Sequence, residues 1–149
     1  MKVWELMTED PICCRSADTV RQVARVIRDH ELVLIPVVND SGQIVGVVTD
    51  RDLCCNFLVE GSDPDRETVQ PYMTSKPITC RLDDEVVDCE RLMWKHGIRR
   101  VPVVNEDGNC VGIDSPLDLL DKSEAMASRE FIRALRSTMA KHGKDFDAR

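Results

Sequence analysis

Residues 3–53 of this chain fall on residues 69–119 after a shift of 66 positions, without a gap, and 20 of the 51 aligned pairs are identical. Met7/Met73, Pro11/Pro77, Pro36/Pro102, Gly46/Gly112 and Asp52/Asp118 are among them. A duplicated unit packs as a pseudo-symmetric pair, and the interface between two such units is a natural place for clefts. The repeat sets the expected organisation: a first unit at 1–59, a linker at 60–68, a second unit at 69–122, and an appended segment at 123–149.

Within each repeat the pattern reads strand, helix, strand, strand, helix. Pro11–Arg15 is a short strand candidate, and Asp18 stands as the N-cap of a helix. Val20, Val23, Ala24 and Ile27 then recur at i, i+3, i+4 and i+7, one face of that helix. The run LVLIPVV at 32–38 is short, apolar and β-branched, as a strand buried on both faces should be. Asn39-Asp40-Ser41-Gly42 is a turn by composition, and Gln43–Val48 returns to make a hairpin. Thr49 caps a second helix through Asp52, Leu53 and Phe57. The second repeat copies this with Pro77–Arg81, a helix from Asp84 to about His96, strands Arg99–Val104 and Asn109–Ile113, and Ser115 opening its last helix. The fold class is therefore α+β: two βαββα repeats packed as a pseudo-twofold pair, plus a C-terminal helix. That helix, at 123–142, begins at Ser123 and carries Phe131, Ile132, Leu135 and Met139 as an apolar stripe. It packs on its own domain or crosses to a partner subunit.

Charge and composition narrow the function. A net charge of −7 disfavours non-specific binding to nucleic acid or to an anionic membrane. One Tyr, three Phe and two Trp are too few for a base-stacking platform. No apolar run approaches the roughly 18 residues of a transmembrane span, and MKVWELMTEDP is not a signal peptide. A cytoplasmic location is expected. The seven cysteines, Cys13, Cys14, Cys54, Cys55, Cys80, Cys89 and Cys110, are odd in number and contain no CxxC. They are expected to be reduced, most of them small hydrophobes of the core. No zinc spacing, nucleophile–base signature or Walker loop is present, so neither a metal nor an enzyme is expected.

The segments with chemistry are GVVTDRD (46–52) and GIDSPLD (112–118). Both read Gly-h-x-[Ser/Thr]-x-x-Asp, where h is hydrophobic, at a strand-to-helix junction. Glycine permits close backbone approach. A hydroxyl residue at a helix start stands where free N–H groups favour a phosphate. An Asp one turn later can accept hydrogen bonds from two ribose hydroxyls. One copy alone is ordinary helix-cap chemistry; two copies at equivalent places point to function.

With these junctions and the strands "IPVV" and "VPVV", residues 3–121 resemble a tandem pair of cystathionine-β-synthase (CBS) domains, a Bateman module. The resemblance implies adenosyl ligands such as AMP, ADP, ATP or S-adenosylmethionine in two interdomain clefts, as regulators and not as obligatory cofactors. It implies one site with Thr49 and Asp52, with Ile78 and Ile98 around the base. The other has Ser115 and Asp118, with Ile12 and Leu32 around the base. In this family an Arg three residues before the strand proline often holds phosphate. Arg99, beside Arg100, takes that place in the second repeat; Val33 takes it in the first, a departure that weakens phosphate binding there. The resemblance also implies a homodimer.

KHGIRR at 95–100 is the dense basic cluster, read as a solvated helix end or, beside Ser115 and Asp118, as a phosphate clamp. His30 and His96 end equivalent helices and read as caps. Trp94 reads as core or interface packing. The expected function is a stand-alone regulatory module that senses an adenosyl ligand and passes its state to an effector protein. The alternatives are a scaffold that binds no nucleotide, or a thiol-based sensor.

Overall fold

A computed structural model of the chain describes residues 1–115. The last helix expected in the second repeat, with Asp118, and the helix expected at 123–142 lie outside the described residues. A 3-10 turn, Val3–Glu5, precedes the two-residue strand β1 (Thr8–Glu9). The first repeat continues with α1 (Val20–Asp29), β2 (Leu34–Val38), β3 (Ile44–Thr49) and α2 (Asp50–Asp52). A π-helical turn, Leu53–Phe57, then runs into α3 (Leu58–Glu60). The second repeat has β4 (Thr74–Ser75), β5 (Cys80–Arg81), α4 (Val86–His96), β6 (Val101–Val104) and β7 (Cys110–Asp114).

Both expected hairpins form, β2 with β3 and β6 with β7, each with one register shift before its last pair. Their turns have one chemistry. Asn39 Oδ1 accepts from the N–H groups of Ser41 and Gln43, both at 3.0 Å. Asn105 Oδ1 accepts from Asp107 and Asn109 at 3.1 and 2.9 Å. Gly42 and Gly108 close the two turns at φ 83° and 81°, backbone that a side chain would strain. The turns also meet each other. Ile44 N–H donates to Gly108 O at 3.1 Å, and its repeat equivalent, Cys110 N–H, donates to Gly42 O at 3.2 Å. This reciprocal pair marks the pseudo-twofold axis.

The sheets do not follow the repeat boundaries. Their strand orders are β1-β7-β6-β5 and β2-β3-β4. The short strand that opens each repeat is therefore added to the sheet of the other: Thr8 pairs with Ile113, and Thr74 with Val47. The cores follow. Val3, Leu6 and Met7 are buried among Cys80, Val86, Cys89, Met93, Val101 and Val103 of the second repeat. Val69 is buried among Cys14, Val20, Val23, Ile35, Val37, Val48 and Leu53 of the first, with Tyr72 and Met73 packed against that cluster. Val3 and Val69 are identical positions of the repeat, both with no exposed surface. Full burial of such a side chain is worth about 1.5–3 kcal/mol, so each repeat anchors the other.

Three expectations are corrected. The N-cap of α1 is Thr19, which forms a capping box with Gln22; Asp18 instead accepts from Arg15 N–H at 2.8 Å. Asp84 repeats that turn with Arg81 N–H at 2.8 Å, and Glu85 is the N-cap of α4. Pro11–Arg15 is not a ladder strand: it touches β2 through a single bridge, Cys14 to Val37. The cysteines divide. Cys80 and Cys89 are joined as a disulfide, with Cα atoms 6.0 Å apart, where the first turn of α4 crosses β5. Spacing rules did not reveal that pair because the helix crossing brings it together. Cys54 and Cys55 are exposed, while Cys14 is buried as expected.

The linker is fastened as well. Glu67 accepts hydrogen bonds from Ser62 N–H and Ser62 Oγ, both at 2.7 Å, and from the Tyr72 hydroxyl. These donors pull its carboxyl down to a pKa of about 2, the tyrosine contributing most.

Candidate functional site

Thr49 is the last residue of β3 and the N-cap of α2. Its hydroxyl accepts from Asp52 N–H at 3.1 Å, while Thr49 N–H and Oγ donate to Asp52 Oδ2 at 2.9 and 2.8 Å. The Thr-x-x-Asp spacing makes this capping box, because residues three apart on a first turn face each other. It holds both groups at the sheet end in fixed geometry. The strand beside them is β2: Leu34 pairs with Thr49, and Asp50 N–H donates to Val33 O at 3.2 Å. Leu32 packs against the first core, and Val33 is 39 % exposed. The first turn of α2 thus carries two carboxylates, Asp50 and Asp52, and no cation comes from the Val33 position.

The second junction differs in its charges. Ser115 follows β7 and is buried, and Asp114 before it has no exposed surface. Asp114 stands where the first repeat has Val48, an asymmetry that the motif alone concealed. Val101 pairs with Asp114, and the β6–β7 ladder ends there, one step before Arg100 and Ser115. Arg99 is exposed and Arg100 half-buried. Among the described residues neither makes an ion pair. Lys95 and His96 lie in the last turn of α4, where the helix dipole favours cations, and Gly97 closes it at φ 65°. His30 caps α1. Trp94 is 62 % exposed, which excludes core packing.

Of the apolar residues expected around the base, Ile78 and Ile98 pack against the second core. Ile12 is 38 % exposed. The described contacts bring Thr49, Asp52 and Val33 together at one end of the first sheet; at the equivalent end of the second, Arg100 and Ser115 follow the last pair of the ladder, Val101 with Asp114. Asp118 lies outside the described residues.

The junction glycines permit the close backbone approach read from the sequence, and what approaches is a strand of the other repeat. A Cβ on Gly46 would stand 2.8 Å from Met73 Sδ and 2.9 Å from the Thr74 carbonyl oxygen. A Cβ on Gly112 would overlap Met7 Sδ and lie 3.0 Å from Met7 Cγ and 3.2 Å from the Thr8 oxygen. Each glycine thus admits the strand exchanged from the other repeat. The signal was present as the identical Met-Thr pairs at 7–8 and 73–74.

Among the described residues no group of three or more His, Cys, Asp or Glu is placed to hold a metal ion. No helix there is long and apolar enough to cross a membrane.

Comparison with known proteins agrees with this architecture. The CBS domain family matches twice, at residues 3–57 and 69–124. An uncharacterized protein of Methanopyrus kandleri is 31 % identical over 120 residues, which are 80 % of this chain and 61 % of that protein. A CBS domain protein of Pyrobaculum aerophilum, solved in complex with AMP, is 27 % identical with a TM-score of 0.74, covering 92 % of this chain and 99 % of that one. A CBS domain pair solved with 5′-methylthioadenosine and S-adenosyl-L-methionine is 26 % identical with a TM-score of 0.72, covering 81 % and 94 %. The chain belongs to the CBS domain family, as a tandem pair of CBS repeats.

Proposed function

We propose that this chain is a regulatory module that binds an adenosyl ligand in clefts between its two repeats and passes its state to a partner protein. The observation that carries the reading is the doubled junction. At one of its copies, Thr49 and Asp52 are pre-positioned at a sheet end, with both bonds from Thr49 falling on one carboxylate oxygen, Oδ2. The second oxygen of such a group is suited to a ribose hydroxyl. Related CBS pairs hold AMP, or methylthioadenosine and S-adenosylmethionine.

One cleft uses Thr49 and Asp52 for the ribose, with Ile78 and Ile98 supplying apolar contacts to the base from the other repeat. The second uses Ser115 and Asp118, with Ile12 and Leu32 at the base and Arg99 and Arg100 at the phosphates. Ligand regulation follows from linkage: a molecule that bridges the repeats favours one arrangement of the pair, and an effector protein reads that arrangement. The module acts in the cytoplasm as a homodimer. Leu58 and Val59, 73 % and 76 % exposed on α3, supply apolar surface for that association.

Thermal unfolding against AMP, ADP, ATP and S-adenosylmethionine tests the reading. A ligand that binds the native state alone adds about 2.7 kcal/mol of stability at 100 times its Kd. A rise in melting temperature with at least one of the four supports the proposal. No rise with any of them, at millimolar concentration, leaves a scaffold that binds no nucleotide.

A further inference from the structure

The outer faces of α1 and α4 differ although the two helices are equivalent in the repeat. Residues at i, i+3 and i+7 share one side of a helix. On α1 that side reads Arg21, Ala24 and Arg28; on α4 the equivalent residues are Val87, Glu90 and Trp94. Val87 and Trp94 are exposed, and Glu90 Oε1 is buried with no hydrogen-bond partner. Arg21 and Arg28 pair with Asp65 and Asp29. Arg25, exposed between them on α1, is in no ion pair among the described residues. Beside this side of α1 lies an apolar groove of about 320 Å³. Ala24 and Ile27 line it from α1, and Leu53, Phe57 and Leu58 line it from the helical segment after Thr49. Asp50 and Cys54 complete the lining. Sites of about 300 Å³ and above hold small ligands, so the groove has room for one indole.

We propose that Trp94 of one copy fills this groove on a second copy, so that the chain pairs antiparallel, first repeat on second repeat. The inference rests on the homodimer reading above and names the contact that makes it. A twofold pair of this kind makes the same contact twice, groove to Trp94 and Trp94 to groove. The chemistry of the two faces selects it. Packing α1 on α1 would set Arg21, Arg25 and Arg28 against their own copies, and like charges facing each other oppose association. Packing α4 on α4 would leave both grooves open to water. Packing α1 on α4 brings the guanidinium groups to the carboxylate of Glu90 and to the face of the indole, where a cation is attracted to the ring. Ile27, Leu53 and Phe57 supply apolar contact to that ring. Asp50 supplies an acceptor for the indole N–H, which needs a partner once buried.

The test is complementation between two surface variants of the full chain. Trp94→Arg, which copies Arg28 of the first repeat, keeps the groove and removes its occupant. Leu58→Glu keeps Trp94 and blocks the groove. Both positions are exposed, so the fold is retained. Each variant alone should dimerise about tenfold or more weakly than wild type in sedimentation equilibrium, since a tryptophan seated in a pocket is a typical hot spot. An equimolar mixture of the two should recover dimers in part, because one intact groove then meets one intact Trp94. Cys54 gives an independent readout from the groove itself. Its alkylation should slow as the wild type dimerises with rising concentration and should stay fast in Trp94→Arg. Dimers that persist unchanged in both variants, or a mixture that recovers none, overturn this inference and leave the homodimer reading standing. A wild-type chain that stays monomeric at micromolar concentration overturns both.

Discussion

Replacing Gly46 or Gly112 with alanine tests whether these glycines are there for the exchanged strands. At Gly46 the added methyl meets a backbone oxygen, Thr74 O at 2.9 Å, as well as Met73 Sδ at 2.8 Å. The backbone contact cannot be relieved by a rotamer change, because Ser75 and Thr74 are paired to Gly46 and Val47. Overpacking of this kind costs about 1–3 kcal/mol, and Gly46→Ala belongs toward the upper end. At Gly112 the nearest obstacle is the Met7 side chain, which is flexible, while Thr8 O is farther, at 3.2 Å. Gly112→Ala belongs toward the lower end. A double-mutant cycle separates the cases. Met7→Ala costs about 2–5 kcal/mol by itself as a core truncation. Combined with Gly112→Ala, it should recover about 1 kcal/mol relative to the sum, since residues in contact couple by roughly 0.5–3 kcal/mol. Met73→Ala should recover less for Gly46→Ala, because the Thr74 oxygen remains. The assay is urea unfolding, read as midpoint shifts at unchanged slope. If both Gly→Ala variants unfold within about 0.5 kcal/mol of wild type, or the two cycles show equal coupling, the steric reasoning fails.

The disulfide between Cys80 and Cys89, nine residues apart, closes a short loop. Chain-entropy arguments give about 2–3 kcal/mol for a loop of that size, so a reductant should lower the melting temperature by roughly 5–10 °C; an unchanged melt in reductant contradicts it. Cys89→Val, which copies the Cys14/Val23 pair of the first repeat, should remove that sensitivity. Glu67 gives a pH signature. Its folded pKa, about 2, lies below the ordinary 4.5, so its contribution is complete above pH 4.5 and is lost as pH falls toward 2. Glu67→Gln should flatten the stability profile in that window, and Tyr72→Phe should shrink it; a profile unchanged in Glu67→Gln refutes the assignment. Placing arginine at position 33 should raise ATP affinity at the Asp52 cleft about tenfold or more, since a charged hydrogen bond is worth about 1.5–3 kcal/mol. Equal ATP affinity in Val33→Arg and wild type, measured by titration calorimetry, tells against the phosphate role of that position.

The hairpins were legible because LIPVV and VPVV are apolar and β-branched, and Asn and Gly stand at fixed offsets in each turn. Thr49 and Asp52 were legible because their spacing is that of a first helical turn. The exchange of β1 and β4 was not, since Thr8–Glu9 and Thr74–Ser75 are two-residue polar strands without periodicity. The buried Val3, Leu6, Met7 and Val69 mark their segments, but an apolar residue does not say which core it enters. The Thr19 cap was visible in Thr-x-x-Gln, but Asp18 carries an equally good cap side chain and took the neighbouring turn. The Cys80–Cys89 pairing depends on which helix crosses which strand, and spacing does not encode that. Asp114 was hidden by its place in a strand whose counterpart residue is Val48.

The most direct test of the two-cleft account is calorimetric titration of wild type, Asp52→Ala and Asp118→Ala with ATP, and with adenosine as the uncharged control. The account predicts two adenosine sites in wild type and one in each variant. It predicts a larger loss of ATP binding in Asp118→Ala, because Arg99 and Arg100 serve that cleft while Asp50 and Val33 stand at the other. Unchanged stoichiometry in both variants, or tighter ATP binding at the Asp52 cleft, would contradict it.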